Sequence, residues 1–480
     1  MTFFSMTFLL VFLPAGLLLY YGTPNRFKNY TLLGLSLLFY AALGPLELLV
    51  MAASVVFDYM MASLIRYHQG NSRVTRTALF LSVLKSVSLI LFCMVRSQLE
   101  GYSMPVGILV YTLSATGYVV DLYRGEVPYE RSLCNFLLYN CFFGKIFVGP
   151  YVKYSLIRPQ LRKKQLSLSS ISTGLVLLIQ GIAKKVVLAD NLLLTYRKVA
   201  QVDASRASAT TLSSWLLLLS LVLGIYFTLS AYCDVARGLG QIFCFKLPRN
   251  FSYPLHSSSV REFVNHFNTT LVEYLRRYVY RPLGGGRYGV VSDCFNTLLY
   301  MLLFGVWFSF SPNLLLFGGV LALFMLGERY LYGRLLRRLP AVFGRVYTYA
   351  ALLVSFCLPA KGTPAGSWQL LKNLFSFHQE DVYKRQGHGA GERPGRGPLF
   401  GQRRQKGERG RRRLPGGDQE GPARRQAGQG DHLPGRRLGR RTPRLRDGRR
   451  HQDIRDRRGG SQDSGHDPRH DEKIIGRMLQ

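Results

Sequence analysis

The spacing of apolar and polar positions divides the chain near residue 380. Before that point apolar runs follow one another at short intervals, at 7–21, 31–43, 48–64, 78–95, 105–120, 212–231, 294–310 and 314–326. A helix needs roughly 20 apolar residues to cross a bilayer, and most of these runs approach that length. Lipid offers no partner to an unpaired amide or carbonyl, so such runs must close their hydrogen bonds internally as helices. The pattern predicts an all-α, polytopic integral membrane protein. The first run is expected to be a span rather than a signal peptide. No basic segment precedes it and no small-residue cleavage site follows it.

One stretch is amphipathic instead. In VREFVNHFNTTLVEYLRRYVY, apolar Val264, Phe267, Leu271, Tyr274, Leu275 and Tyr278 recur at helical spacing, and Arg261, Arg276, Arg277, Arg281 and Arg287 flank them. The expectation is a single helix at the cytoplasmic interface, or re-entering beneath a central cavity. Its arginines would anchor on lipid headgroups or attract an anionic acyl carrier. The Pro282-Leu283-Gly284-Gly285-Gly286-Arg287 that follows lacks the Gly-Lys-Ser/Thr ending of a phosphate loop and reads as a helix stop and turn.

Charge adds an orientation and a second region. Arg26 and Lys28 follow the first run, and Arg66, Arg73 and Arg76 follow the third. An excess of Lys and Arg marks the cytoplasmic side, which places the N-terminus outside. From Asp381 the apolar periodicity stops and Arg, Gly and Pro dominate, with Lys384, Lys406 and Lys473 as the only lysines. Such a composition cannot offset its ordering entropy, so residues 381–480 are expected to form a disordered tail. Tyr383 and Phe400 are its only aromatics, too few for base stacking, and no nucleic-acid partner is expected. The same excess is what GC-rich coding DNA gives when read out of frame, which marks the tail as a frameshift or assembly artefact with its junction at Val-Tyr-Lys-Arg-Gln. The seven cysteines form no Cys-x-x-Cys and sit mostly in apolar runs, so neither a metal site nor a disulfide framework is expected.

Several motifs carry a resemblance. LSAYCD (229–234), FSYP (251–254), FVNHFN (263–268), YVYRPLGG (278–285) and GVWFS (305–309) occur in that order. They resemble the signature region of the membrane-bound O-acyltransferase family, in its bacterial branch of alginate O-acetylation and cell-wall D-alanyl transfer. The family's segments there are Phe-Ser-Gly-Tyr-Ser-Asp, Phe-Asn-Tyr-Pro, Phe-Trp-Arg-Arg-Trp-His, Tyr-Leu-Tyr-x-Pro-Leu-Gly-Gly and Gly-x-Trp-His-Gly. The opening 6–41, MPVGILVYTLSATGYVVDLYRGE (104–126), FFGKIFVGPYVKY (142–154) and GIAKKVVLADNL (181–192) are similar to its other landmarks. The resemblance covers about residues 1–380. It implies about nine to eleven transmembrane helices with re-entrant segments around a central funnel, in the plasma or inner membrane. If the tail is out of frame, the family's last helices are missing.

The resemblance also assigns the candidate site. A histidine suits a general base because its pKa lies near working pH. The two positions where the family carries histidine hold Asn268 and Phe308. Phe308 exchanges no proton and Asn268 only hydrogen-bonds. His266 is the candidate for a displaced base. On one continuous helix, however, two residues correspond to about 200°, so it would face away from position 268. Tyr232, Asp234 and Trp307 are implied substrate-binding residues. Asp234 alternatively serves as a structural partner of Arg237 or another nearby cation. Lys184, Lys185 and Asp190 are expected to pair with one another or to snorkel. His68 and His378 read as solvated surface residues.

The implied activity is transfer of an acyl group, expected to be acetyl, from a cytoplasmic thioester to a hydroxyl of an extracytoplasmic polysaccharide or cell-wall polymer. The donor would be acetyl-CoA or an acyl carrier protein. Membrane lipid and a secreted polysaccharide-modifying protein would be partners, with no bound cofactor and no metal. A competing expectation is a catalytically inactive relative acting as scaffold or regulator. A transporter would show paired half-repeats with broken helices, which the sequence lacks.

Overall fold

A computed structural model gives the fold over residues 2–100, 104–147, 149, 151–164, 167–205, 210–361 and 363–376. His378 and the tail 381–480 lie outside these described residues. Among the described residues every regular element is helical, apart from one isolated antiparallel bridge between Phe251 and Phe267.

The chain opens with α1 (Thr7–Gly22), α2 (Lys28–Leu43), α3 (Pro45–Tyr67), α4 (Ser72–Leu99) and α5 (Ile108–Tyr123). The short α6 (Leu133–Cys141) and α7 (Tyr154–Arg162) lead to α8 (Leu168–Val202) and α9 (Thr211–Ile242). Then come α10 (Val260–His266), α11 (Thr269–Leu275), α12 (Val290–Phe308), α13 (Pro312–Tyr330), α14 (Gly333–Arg338), α15 (Ala341–Ala360) and α16 (Pro364–Phe375). Seven of these, α3, α4, α8, α9, α12, α13 and α15, are long and apolar enough to cross a membrane; α1 and α5 are apolar but shorter.

Helix α9 is the most enclosed of the seven. In its most apolar window 67% of residues are buried, against 17% for α8, so α9 packs among other helices while α8 shows its leucines and valines outward. Helices α12 and α13 meet at two glycines. A Cβ on Gly305 or on Gly318 would come within 2.2 Å of the Leu314 or Met301 carbonyl oxygen of the facing helix. Only small residues permit that approach, and it fixes the crossing of the two spans. Between α3 and α4 a buried charge is matched: Lys85 Nζ lies 2.6 Å from the fully buried Asp58, which also accepts from Ser82 Oγ at 2.7 Å. An unmatched charge at that depth would be costly.

The amphipathic stretch departs from expectation, because it is two helices rather than one. Helix α10 ends at His266, Phe267 is extended, and Asn268 is left-handed with φ 54° and ψ 58° before α11 begins. The cause is competition from a distant segment. Ser252 N donates to His266 O at 3.2 Å and Thr269 N donates to Asn250 O at 2.8 Å, diverting backbone groups from helical partners. Asparagine occupies the left-handed region more readily than most side chains. The 200° separation between His266 and position 268 therefore does not apply. Arg277 also departs from the headgroup expectation: it turns inward onto Asp121 at 3.1 Å and onto Glu126. Gly284 and Gly285, at φ 92° and 56°, make the expected turn after the helix.

Candidate functional site

The motif residues are held by a densely capped helix start. Ser259 Oγ accepts from Glu262 N at 3.1 Å, and the Glu262 carboxylate accepts from Ser258 N at 2.8 Å. Val260 N and Arg261 N reach the buried Glu328 of α13 at 2.5 and 3.1 Å. Phe263 N closes onto Ser259 O at 3.0 Å as the first helical bond. A carboxylate 67 residues away thus takes the place usually filled by a local cap. It pins the segment carrying Phe263–His266 to α13.

From this anchored helix the chain enters the left-handed turn at Asn268. Its side chain is fully buried, and Oδ1 accepts from Asn250 Nδ2 at 3.1 Å. Asn250 also donates to Cys233 Sγ of α9 at 3.3 Å and accepts from Thr270 Oγ1 at 2.8 Å. Thr270 Oγ1 in turn accepts from Tyr151 N at 3.1 Å, and the Tyr151 hydroxyl accepts from Trp307 Nε1 at 2.8 Å. One polar line therefore runs from Cys233 through Asn250 and Thr270 to Trp307. Asn268 joins it by its oxygen alone; its buried Nδ2 has no partner.

That line borders a cavity of about 140 Å³. Ser114 and Gly117 of α5, Tyr139, Tyr151, Lys153, Thr269, Thr270, Glu273 and Tyr274 line it, with Arg277 and Tyr278 at one side. Thr269 and Thr270 are in the lining, whereas His266, Asn268 and Phe308 are not. Phe308 sits in an aromatic group, with ring centroids 4.9 Å from Trp307, 5.5 Å from Phe304 and 6.4 Å from Phe267 and Phe317. Phe267 is thus the link between the two family histidine positions: next to Asn268 in the chain and against the Phe308 ring. His266 is half-buried at the end of α10.

The other sequence candidates separate. Asp234 receives Lys184 Nζ at 2.5 Å and Arg237 Nη1 at 3.3 Å. The expected partner Arg237 is present, but the closer cation comes from α8. Of the expected Lys184–Lys185–Asp190 group only Lys185 pairs with Asp190. Tyr232 packs in an aromatic group with Phe4 at 5.0 Å and Phe147 at 5.4 Å. His68 is exposed, as expected.

Asn250, Thr270, Tyr151 and Glu328 were not singled out from the sequence. Asn250 had one available signal, a polar residue directly before the FSYP motif, and Tyr151 another, its place in the 142–154 landmark; Thr270 and Glu328 had none, since their roles rest on partners distant in the chain. Lys145 was missed as well. It lies between α6 and α7, 3% exposed, with Nζ 4.5 Å from the centroid of Tyr139, and burial pushes its amine down to about 7. No carboxylate lies within salt-bridge distance of it among the described residues.

Comparison with known proteins identifies the family. Residues 35–355 match the family model of the membrane-bound O-acyltransferases. The chain is 28% identical over 395 residues to a probable alginate O-acetylase AlgI of Pseudomonas aeruginosa, covering 78% of this chain and 75% of that protein. It is 32% identical over 323 residues to the probable AlgI of Pseudomonas fluorescens, covering 66% and 64%. A peptidoglycan O-acetyltransferase of Helicobacter pylori is 30% identical over 360 residues, covering 65% and 67%. With its family segment spanning most of the described helices, the chain is a multi-pass protein of the cell membrane and belongs to the membrane-bound O-acyltransferase family.

Proposed function

We propose that this chain is an O-acetyltransferase scaffold that moves acetyl from a cytoplasmic thioester to a hydroxyl of an extracytoplasmic polysaccharide or cell-wall polymer. The donor, acetyl-CoA or an acyl carrier protein, enters from inside, and the acceptor from outside, through a funnel among nine to eleven helices. A secreted polysaccharide-modifying protein completes the system. The observation that carries this reading is the convergence of the motif segments: Asn268, Asn250, Thr270, Tyr151 and Trp307 form one hydrogen-bonded line beside the cavity. The names of the AlgI and peptidoglycan relatives support the acetyl group and the polymer acceptor.

In the reaction the hydroxyl oxygen bonds to the thioester carbonyl carbon, the carbon–sulfur bond breaks, and the hydroxyl proton passes to the departing thiolate. Asn268 and Phe308 cannot carry that proton. General acid–base assistance contributes about 10²–10⁴-fold, so transfer by this chain proceeds at that much lower level. A second reading, an inactive scaffold or regulator, is favoured by the ring packing around Phe308, where Phe267, Phe304, Trp307 and Phe317 surround the position.

The test is acetyl transfer in membranes supplied with labelled acetyl-CoA and either alginate or peptidoglycan, with the chain as it stands and with its reading frame restored beyond Asp381. The double variant Asn268→His, Phe308→His is expected to exceed the parent by about 10²-fold or more. Strong parental turnover that survives His266→Ala would show that another group handles the proton. A folded, histidine-restored chain without turnover would favour the scaffold.

A further inference from the structure

A second cavity, of about 60 Å³, lies between the α11 segment and helices α12 and α13, apart from the first. Arg261, Arg276 and Arg329 line it together with Tyr280, Thr297 and Tyr300. Its charges are unevenly matched. Arg329 is neutralised by the buried Asp293 at 2.6 Å, which also accepts from Tyr280 at 2.5 Å and Tyr330 at 2.6 Å. Neither Arg261 nor Arg276 has a carboxylate within salt-bridge distance among the described residues; Arg276 donates to the neutral Asn265 amide oxygen. Glu328 is close enough to act on Arg261 electrostatically, but both its oxygens are committed to the amides of Val260 and Arg261. Tyr300, 4% exposed, lines the same cavity; its buried hydroxyl lies beside the Arg276 guanidinium, and its proton reaches no acceptor among the described residues.

Two guanidiniums without a carboxylate and a buried hydroxyl whose proton has no acceptor, all facing one small cavity, form a donor-rich site with no anion of its own. A buried polar group without a partner is destabilising, and guanidinium planes match the oxygens of a phosphate. The volume admits several water-sized groups, which is room for one tetrahedral oxyanion. We propose that this cavity binds a phosphate group, held by Arg261, Arg276 and the Tyr300 hydroxyl. The phosphate belongs either to a soluble phosphorylated thioester donor or to the headgroup of an anionic lipid. The donor case rests on the acyl-transfer reading; the site itself does not.

The full chain, reconstituted in phosphatidylcholine nanodiscs, is titrated with coenzyme A or inorganic phosphate while its unfolding midpoint is followed. Parallel discs contain phosphatidylglycerol. A rise in midpoint with coenzyme A in phosphatidylcholine identifies the soluble source, and a rise with phosphatidylglycerol alone identifies the lipid. In either case Arg276→Gln should weaken the half-saturating concentration about tenfold and Tyr300→Phe about threefold. Arg276→Lys should lose less than Arg276→Gln, and exposed Arg345→Gln on α15 should change nothing. No midpoint rise from any phosphate source, or equal responses in the parent and a folded Arg276→Gln or Tyr300→Phe chain, would overturn the site. Binding needs no turnover, so an inactive chain that still binds sinks only the acyl-transfer reading, and an active chain that fails to bind sinks only this one.

Discussion

Glu328 should be the residue whose loss most directly loosens the motif segment, and its cost can be worked from the geometry. Its carboxylate accepts from Val260 N at 2.5 Å and from Arg261 N at 3.1 Å. A hydrogen bond to a charged group contributes about 1.5–3 kcal/mol net, and a buried donor left unpaired costs about as much. Val260 is fully buried, so its amide finds no water once the carboxylate is gone; Arg261 is exposed and its amide recovers hydration. Glu328→Ala therefore costs close to one full charged bond plus a small remainder, about 3 kcal/mol. Glu328→Gln keeps one oxygen for Val260 but turns its NH₂ toward the second donor, at about 1 kcal/mol. Unfolding of purified chain in mixed detergent micelles would measure both. The ordering Ala worse than Gln worse than parent is required. Equal losses for the two variants, or a loss below about 0.5 kcal/mol for Ala, would refute the claim that this carboxylate serves as the helix cap.

Three further outcomes are expected. Burial holds the Lys145 amine at about 7, below its ordinary 10.5, so between those values the unfolded chain binds a proton that the folded chain does not. The burden is complete below pH 7 and lifts as pH rises: parental stability should climb from about pH 7 toward 10, Lys145→Met should flatten that slope, and parallel pH profiles of the thermal midpoint would contradict it. The loop at 66–76 should face the cytoplasm, so Gly70→Cys should react with an impermeant maleimide only from inside, against native cysteines that are buried or half-buried; labelling from outside would reverse the orientation. The DNA beyond codon 381, read in its other frames, should encode apolar segments of roughly 20 residues; only polar sequence or early stops there would make the Arg/Gly tail genuine.

The helices and the family were legible from local constraints. Lipid leaves the backbone no alternative to internal hydrogen bonds, so apolar runs such as 48–64 and 78–95 could only become helices, and they did so as α3 and α4. Motif order likewise sufficed for the family, because five separate segments in register leave little freedom. Helical periodicity, however, reports which residues share a face and not what a distant segment offers. For that reason the single amphipathic helix expected over 260–280 broke at Asn268, where backbone groups of Asn250 and Ser252 claimed its bonds. The same limit hid the Glu328 cap and made Lys184 of α8 the closest partner of Asp234. It also hid the enclosure of Lys145, whose burial depends on side chains brought together from α6, the segment before α7 and the 245–247 region. These contacts join residues tens to hundreds of positions apart, and only the packed helices set their distances, charges and exposure.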